Sequence, residues 1–246
     1  MQYYINFDTL NYTIMKKVMY FVMLATLLFA GCKNNDFEAK TVFSVSESKQ
    51  VHFAKGNLEY DSIGGYHFAA NQYDYGGYFG WGTGSNPTNT SIHWEDYPTF
   101  DDWGSRIDGG WRTLTDDEWH YVIWDRADAS AKRGAATVCG VHGMVLLPDG
   151  WNDGAFNAGF DKGWNTNEYD AVSWADMEAA GAVFLPAAGF HSSYVEIEGG
   201  YWSSTSDGDP HLADLMHFCE NYVYDNDSYG RNCRLPVRLV QDCQNN

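Results

Sequence analysis

Residues 199–206 of this chain read GGYWSSTS, residues 207–233 read DGDPHLADLMHFCENYVYDNDSYGRNC, and residues 234–240 read RLPVRLV. The first and last stretches carry the aromatic and alternating apolar residues that are typical of β-strands. The stretch between them is rich in Asp, Asn, His, Tyr and Ser. This contrast predicts a fixed framework that presents a segment of different chemistry near its carboxyl end.

Within the polar segment, residues 215–218 alternate as the two faces of a strand would. Side chains on a strand point to opposite faces in turn, so Met216 and Phe218 are expected to point into the core. Leu215 and His217 share the other face, where we expect them to be exposed to solvent. An exposed set rich in Tyr, Asp, Asn and Ser has the chemistry of an antibody paratope and indicates a binding surface. By composition alone, an ordinary polar loop over a strand is the alternative.

The composition as a whole is that of a folded protein with many sheets and loops. Of the 246 residues, 44% are hydrophobic and 17% aromatic, which allows a substantial core. The formal net charge of −18 argues against binding to nucleic acid, because the phosphates would be repelled. The composition shows no break after residue 40, so residues 41–246 are predicted to form one domain.

The amino terminus has the pattern of an export signal followed by a lipid attachment site. Met15–Lys17 supplies positive charge, and Val18–Ala30 is an apolar run too short to span a bilayer. The run ends at Leu28–Cys32, which resembles a bacterial lipobox. This arrangement predicts a signal peptide that is cut before Cys32.

The expected organisation before the domain follows from that cut. Residues 1–31 comprise upstream residues and the lipoprotein signal peptide, Cys32 is the lipidation site, and residues 32–40 form a polar tether. We expect such a protein to be exported and held on the outer membrane, at the cell surface, by its lipid anchor. An ordinary secretion signal with an incidental cysteine is the alternative.

One helix can be placed from its capping signals. Thr115 is a good N-cap and Glu118 lies three residues later, which together predict a capping box. The helix is expected to continue through Trp119, Val122 and Ile123, because their spacing gives an apolar stripe.

The remaining elements complete an α+β class. A second, shorter helix is predicted to open at Ser173 and to end at Gly181. Strand-like runs follow the two helices, at residues 143–148 and 182–186, and residues 235–240 are predicted to close the domain by pairing with an early strand. The predicted fold is therefore a single domain with two helices and a loop-rich, mostly antiparallel sheet.

Beyond Cys32 the chain has four cysteines, whose roles the sequence leaves open. In an exported protein, four cysteines allow three disulfide pairings, and the spacing fits no zinc pattern. These residues are Cys139, Cys219, Cys233 and Cys243.

Several short motifs are weak matches to metal sites. Trp151–Asp153 has the letters of the calcium and sugar motif of C-type lectins, but PDGWNDG is also a typical turn sequence. Asp225–Gly230 resembles the start of an EF-hand loop, but Pro236 stands where the bidentate Glu belongs. His211 and His217 are better interpreted as exposed histidines than as metal ligands. We expect no catalytic or metal-binding residue and no cofactor, with a structural calcium ion left open.

Five pieces of the chain occur in an order that resembles a known family. They are WRTLTDDEWHYVI, VHGMVLLPDGW, MEAAGAVFLPAAGF, GGYWSST and PVRLV. The order looks like that of Bacteroidetes-type surface lipoproteins related to the major paralogous domain proteins. These share a C-type-lectin-like fold that is also seen in formylglycine-generating enzyme. The resemblance covers about residues 41–240 and implies this fold for residues 41–246, with a variable-type binding segment at about residues 200–240.

The resemblance also implies which residues bind. In many proteins similar to these, a diversity-generating retroelement rewrites the segment before the closing strand, and the fixed fold presents the rewritten side chains as a binding surface. Trp202, Met216 and Phe218 would be fixed positions, with Met216 where the family more often has Leu. The ligand-binding residues that the resemblance implies are Asp207, Asp209, His211, Asp214, Leu215, His217, Asn221, Tyr224, Asp225, Asn226, Tyr229 and Asn232.

The expected function is non-catalytic recognition of a protein or glycan on another cell, a phage or a host surface. A structural or fimbrial accessory subunit is the first alternative. The second is a copper enzyme of the formylglycine-generating type, for which Cys233 and Cys243 would be the comparable pair of cysteines. Cys243 lies in a polar tail, which is a poor place for a preorganised site.

Overall fold

A computed structural model describes residues 41–152, 156–191 and 193–243, with residues 225 and 226 described in the backbone only. The predicted signal peptide, Cys32 and the tether lie outside the described residues, as does Asp153 of the Trp151–Asp153 motif. The described residues belong to one compact unit. Among them, we find no helix with the length and apolar character needed to cross a bilayer.

The described ranges contain thirteen strands and two α-helices, which confirms the α+β class. The helices are α1 (Asp116–His120) and α2 (Ala171–Ala179). The strands are β1 (Phe43–Ser44), β2 (Gln50–Phe53), β3 (Leu58–Asp61), β4 (Gly65–Phe68), β5 (Trp111–Arg112), β6 (Arg133–Val138), β7 (Val141–Leu146), β8 (Glu168–Tyr169), β9 (Val183–Pro186), β10 (Glu198–Ser206), β11 (Leu212–Cys219), β12 (Tyr222–Gly230) and β13 (Val240–Asp242).

These strands form four sheets. Their orders are β1-β2-β13-β5, β8-β6-β7-β9, β10-β11-β12 and β3-β4. Every pairing between the named strands is antiparallel except that of β6 with β8, so the expectation of mostly antiparallel sheets is confirmed. The predicted runs at 143–148 and 182–186 correspond to β7 and β9, which pair with each other.

Helix α1 begins with the predicted capping box. The Thr115 hydroxyl accepts from the Glu118 N–H at 3.2 Å, and the Glu118 carboxylate accepts from the Thr115 N–H at 3.1 Å. The α-helical part is shorter than expected and passes into a π-helical turn over Tyr121–Asp125. There the Arg126 N–H bonds to the Tyr121 carbonyl at 2.9 Å. The predicted apolar stripe is nonetheless buried.

Helix α2 begins before the predicted Ser173, because Asp170 is the better cap. Its carboxylate accepts from the N–H groups of Val172 and Ser173 at 3.1 and 2.8 Å, and these bonds lower its pKa. At the other end Gly181 has φ +98°, and its N–H bonds to the Glu178 carbonyl at 2.9 Å. The predicted glycine termination is confirmed.

The closing segment runs antiparallel to several early parts of the chain. β13 is shorter than the predicted strand, but it pairs with the early strand β2 as expected. The residues before it are also hydrogen-bonded, one after another, to backbone groups of the first half of the domain. The carbonyl groups of Leu239, Val237 and Leu235 accept these bonds. The donors are the N–H groups of Ala54, Leu58 and Phe79 respectively, each at 2.9 Å.

A buried guanidinium ties this closing segment to its surroundings. Arg238 is 1% exposed, and burial lowers its pKa to about 10, so it remains charged at neutral pH. It donates to the Asn57 side chain at 2.9 Å, to the Ala54 carbonyl at 3.0 Å and to the Phe184 carbonyl at 2.7 Å. A buried charge needs such partners, since leaving it unsatisfied would cost several kcal/mol.

The β10-β11-β12 sheet separates two parts of the hydrophobic core. Met216 and Phe218 pack on one face, in the same cluster as Trp119 of α1, so their predicted inward orientation is confirmed. Trp202 is 1% exposed, packs on the opposite face and donates from its indole to the Phe79 carbonyl at 2.8 Å. Because both faces are covered, β11 lies inside the protein rather than on its surface.

Candidate functional site

A row of aromatic rings lies along the face of the β10-β11-β12 sheet that is opposite Met216 and Phe218. Phe190 stacks on Tyr229 at 4.6 Å between ring centroids and meets the His217 ring at 5.7 Å. His217 in turn meets Tyr222 at 5.8 Å, and Tyr222 meets Tyr224 at 4.7 Å. We call these five residues the aromatic row. It extends from one end of β12 to the other and includes three of the predicted binding residues.

Phe190 does not belong to the β10-β11-β12 sheet, but its ring can lie against the sheet because residue 200 on β10 is a glycine. A Cβ atom at Gly200 would be only 3.1 Å from Phe190 Cε1 and from Leu215 Cδ1. The backbone of β10 therefore leaves room for a ring from a separate segment. Phe190 then covers the centre of the face that the alternation in β11 predicts to be open.

His217 is buried, so the prediction that it is exposed to solvent is wrong. It is 6% exposed and lies between two carboxylates from the neighbouring strands. Its Nδ1 is 2.9 Å from Asp227 Oδ2 on β12, and its Nε2 is 3.5 Å from Glu198 Oε2 on β10. The second distance is too long for a strong hydrogen bond. The His217 ring therefore contacts carboxylates within the sheet and does not reach the protein surface.

Leu215 is also buried, and its predicted exposure is wrong. It is fully buried and packs in the cluster that contains Trp202 and Trp103. Trp103 comes from the loop region before α1, far from β11 in the sequence. Leu215 is therefore part of the framework beneath the surface.

A cleft opens beside Tyr229, at one end of the aromatic row. It has a volume of about 370 Å³. Tyr229 and Asn232 are the predicted binding residues that line it. The remaining lining residues are Thr90, Ser91, Ile92, Phe190, His191, Ser193, Tyr194, Cys233 and Arg234. Two of these are conspicuously exposed apolar residues, Ile92 at 79% and Tyr194 at 58%.

The electrostatics of this cleft differ from those of the chain as a whole. None of the lining residues is acidic. Arg234 Nη2 lies 2.9 Å from His191 Nδ1. Burial and the neighbouring Arg234 charge lower the pKa of His191, so that ring is neutral at pH 7. Burial raises the pKa of the Cys233 thiol, which stays protonated. Arg234 is accordingly the one charged group in the described lining.

Two further predicted residues, Asp209 and His211, lie on the turn between β10 and β11. The Asp209 carboxylate accepts from the His211 N–H at 2.9 Å and from its ring, and these bonds lower the pKa of Asp209. The His211 ring also contacts Trp94 at 4.2 Å between centroids. His211 and His217 thus have different partners and do not form a common site.

The other predicted residues are spread over β11, β12 and the turn between them. Tyr224 is 51% exposed and Asn221 is exposed, where its Oδ1 accepts from the Cys219 thiol at 2.9 Å. Asp214 is half-buried, and burial together with the charge of Asp207 raises its pKa. The side chains of Asp225 and Asn226 lie outside the described part of the structure.

The weak metal motifs take ordinary backbone conformations. The EF-hand-like residues Asp225–Gly230 belong to strand β12 rather than to a loop. Trp151 N–H bonds to the Pro148 carbonyl at 3.1 Å, as expected for a turn, while Asp153 of that motif is not described. Across residues 41–152, 156–191 and 193–243, no group of three or more His, Cys, Asp and Glu side chains could hold a metal ion.

The four cysteines beyond Cys32 all lie within the described residues. The structure forms no disulfide among the four described cysteines.

The cleft residues that sequence reasoning missed come from separate segments. Ile92 belongs to the irregular region before α1, whereas Tyr194 lies between β9 and β10. Neither residue belongs to a periodic pattern or a motif. The only indication in the sequence is a large apolar residue within a polar stretch.

Searches for matching protein-family models, curated proteins and solved structures find no match to this chain.

Proposed function

We propose that this chain is a non-catalytic binding protein, exported and anchored by lipid at Cys32 to the outer membrane. Its domain is of the C-type-lectin-like kind, and its ligand is a protein or glycan on another cell, a phage or a host surface. The binding surface consists of the aromatic row apart from the buried His217, the adjoining cleft and the turn that carries Asp209 and His211.

One observation carries this proposal. Large apolar and aromatic side chains are exposed beside the cleft and at the opposite end of the aromatic row, above a sheet whose two faces are otherwise tightly packed. Ile92, Tyr194 and Tyr224 are each more than half exposed, at 79%, 58% and 51%. Exposed aromatic groups around a concave site are typical of ligand recognition. The packed sheet beneath them supplies the rigidity that lowers the entropic cost of binding.

The twelve implied binding residues then divide into two groups. Leu215 and His217 support the surface from below, and His217 contacts Asp227 and Glu198. The others with described side chains lie at the surface or half-buried in it, where substitution costs the framework little. We further propose that this segment is the variable region of a retroelement target, since eight of its twelve implied binding positions are exposed or half-buried.

A pair of variants tests recognition. The purified full chain is probed against arrays of surface glycans and of extracellular proteins, where it should retain a small set of ligands. The double variant Tyr194→Ala/Tyr224→Ala should lose binding at least tenfold with an unchanged melting temperature. Tyr60→Ala, which alters a comparably accessible tyrosine on β3, is the matched control. Equal losses in both variants, or no ligand on either array, would count against recognition.

Sequencing the flanking DNA tests the origin of the segment. The proposal expects a reverse-transcriptase gene and a near-copy of the DNA for residues 200–240 that differs only where the copy has adenine. If neither is present, the segment is a fixed one, and the proposal of a retroelement target fails while recognition stands.

A further inference from the structure

We propose that the cleft beside Tyr229 binds an acidic sugar, with the sugar carboxylate held by Arg234. This rests on the proposed recognition function and names the ligand class for one part of that surface. Three observations support it: the charge of the cleft, the chemistry of its walls and its size.

The charge of the cleft is the first observation. The chain carries 33 acidic and 15 basic residues, so an arbitrary surface region of this size should be acidic. The cleft lining instead contains Arg234 and no carboxylate. Arg234 has a side-chain hydrogen-bond contact to the neutral His191 ring and, among the described residues, no ion pair with an acid. A guanidinium of this kind is well suited to a carboxylate, to which it can donate two parallel bonds.

The carboxylates near the cleft also affect where an anion could bind within it. Glu198 and Asp227 lie near Tyr229, and their charges contribute to raising its pKa. They are on the far side of Phe190, where both face His217. Within the cleft, an anion would be repelled by these carboxylates and attracted to Arg234, which would fix its orientation.

The walls of the cleft are the second observation. Phe190 and Tyr229 are stacked with an angle of 23° between their planes, and Tyr194 stands edge-on to Phe190 at 6.2 Å. Such rings offer flat apolar faces to the C–H face of a pyranose. Thr90 and Ser193 add hydroxyl groups to the lining, which suit the ring hydroxyls of a sugar. The hydroxyl of Ser91 already donates to the Asp96 carboxylate. An acidic peptide could also pair with Arg234, and the binding of tetraglutamate distinguishes the two ligand classes.

Size is the third observation. The volume of about 370 Å³ is near the lower end of the ~300–1,000 Å³ range of small-molecule sites. One or two sugar units of a longer chain fit this space. The cleft is also open to solvent beside Ile92, so a polysaccharide can continue in both directions.

Titration calorimetry with the full chain tests the assignment. The probe is tetragalacturonate, and its methyl ester is the matched control because it keeps the sugar ring and loses the charge. We expect the acid to bind at least tenfold more tightly than the ester. Arg234→Gln should remove that preference, and Arg106→Gln, which alters an exposed arginine outside the cleft, should keep it. Tyr194→Ala should weaken the acid and the ester alike, because it removes a wall rather than the charge.

Three results would overturn the assignment. They are equal affinity for acid and ester, an unchanged preference in Arg234→Gln, and equally tight binding of tetraglutamate. If Arg234→Gln fails to fold, Arg234→Met, which also removes the charge, replaces it, and an unaltered preference in Tyr194→Ala serves as the second check. If the array ligands are lost in Tyr194→Ala/Tyr224→Ala while tetragalacturonate never binds, recognition stands and the sugar assignment alone fails.

Discussion

Phe190 and Tyr229 stack with ring centroids 4.6 Å apart, and this contact joins the segment after β9 to the last residues of β12. It also forms the boundary between the cleft and the buried His217. The same pair of rings therefore lines the cleft on one side and covers His217 on the other.

We expect Phe190→Ala to destabilise the protein by roughly 1–3 kcal/mol, less than the ~3–5 kcal/mol of a fully buried phenylalanine. The ring is half-buried, but its loss also opens His217 to water. Urea denaturation measures the change in the free energy of unfolding. Phe190→Leu, which keeps an apolar cover, should cost clearly less, and equal costs would show that the ring stack itself contributes.

Trp202→Ala should cost about 3–5 kcal/mol, the amount typical of a large residue removed from a core. The side chain is 1% exposed and its indole N–H bonds to the Phe79 carbonyl. Tyr224→Ala on β12 of the same sheet is the control and should stay within ~0.5 kcal/mol, because that residue is 51% exposed. A small effect of Trp202→Ala would mean that the sheet rearranges around the missing ring.

Thr115→Ala should cost about 1 kcal/mol through the loss of the helix cap. The hydroxyl accepts from the Glu118 N–H, and no other group can replace it after truncation. Thr115→Ser keeps the oxygen and should recover most of the loss in thermal unfolding. If serine is as damaging as alanine, the methyl group rather than the cap accounts for the effect.

The Asp242 carboxylate should contribute stability that depends on pH. It accepts from Arg112 at 2.6 and 3.0 Å, and these bonds lower its pKa below the usual 3.8. A group whose pKa is lower in the folded state stabilises the fold above its unfolded-state pKa. That contribution disappears as the pH falls through the lower, folded-state value.

Asp242→Asn tests this sign directly. Because the side chain is 56% exposed, we expect a loss of at most ~1 kcal/mol at pH 7. Denaturation curves of the variant and the parent should converge as the pH is lowered below about 3.8. A difference that stays constant with pH would assign the effect to packing instead.

Cys32→Ala should release the protein from the membrane fraction if the lipid anchor is as predicted. The measurement is fractionation of cells followed by immunoblotting, with Cys139→Ala as the control that leaves the anchor intact. Continued membrane association of the Cys32 variant would contradict lipidation at this residue.

Features set by nearby residues could be predicted from the sequence. The capping box of Thr115 and Glu118 depends on four consecutive residues, and the inward orientation of Met216 and Phe218 depends on strand alternation alone. Both hold in the structure. Gly181 likewise ends α2 as expected, because only glycine takes φ +98° without strain.

Features that depend on contacts between distant residues could not be predicted from the sequence. Alternation in β11 separates Leu215 and His217 from Met216, but it does not say what covers the second face. That cover comes from Phe190 and Trp103, which no local pattern links to β11. The cleft was missed for the same reason, since Ile92, Tyr194 and Arg234 meet only once the chain has folded.

The segment from Leu235 to Asp242 has a consequence for biosynthesis. Its backbone completes hydrogen bonds with β2, with Leu58 and with Phe79, all of which leave the ribosome long before it does. Such long-range pairing slows folding, because a large loop must close before any contact forms. A nascent chain therefore cannot complete the core of this domain until residues 235–242 have been made. An exported chain would for the same reason keep this domain unfolded, and open to secretion machinery, until β13 has been made.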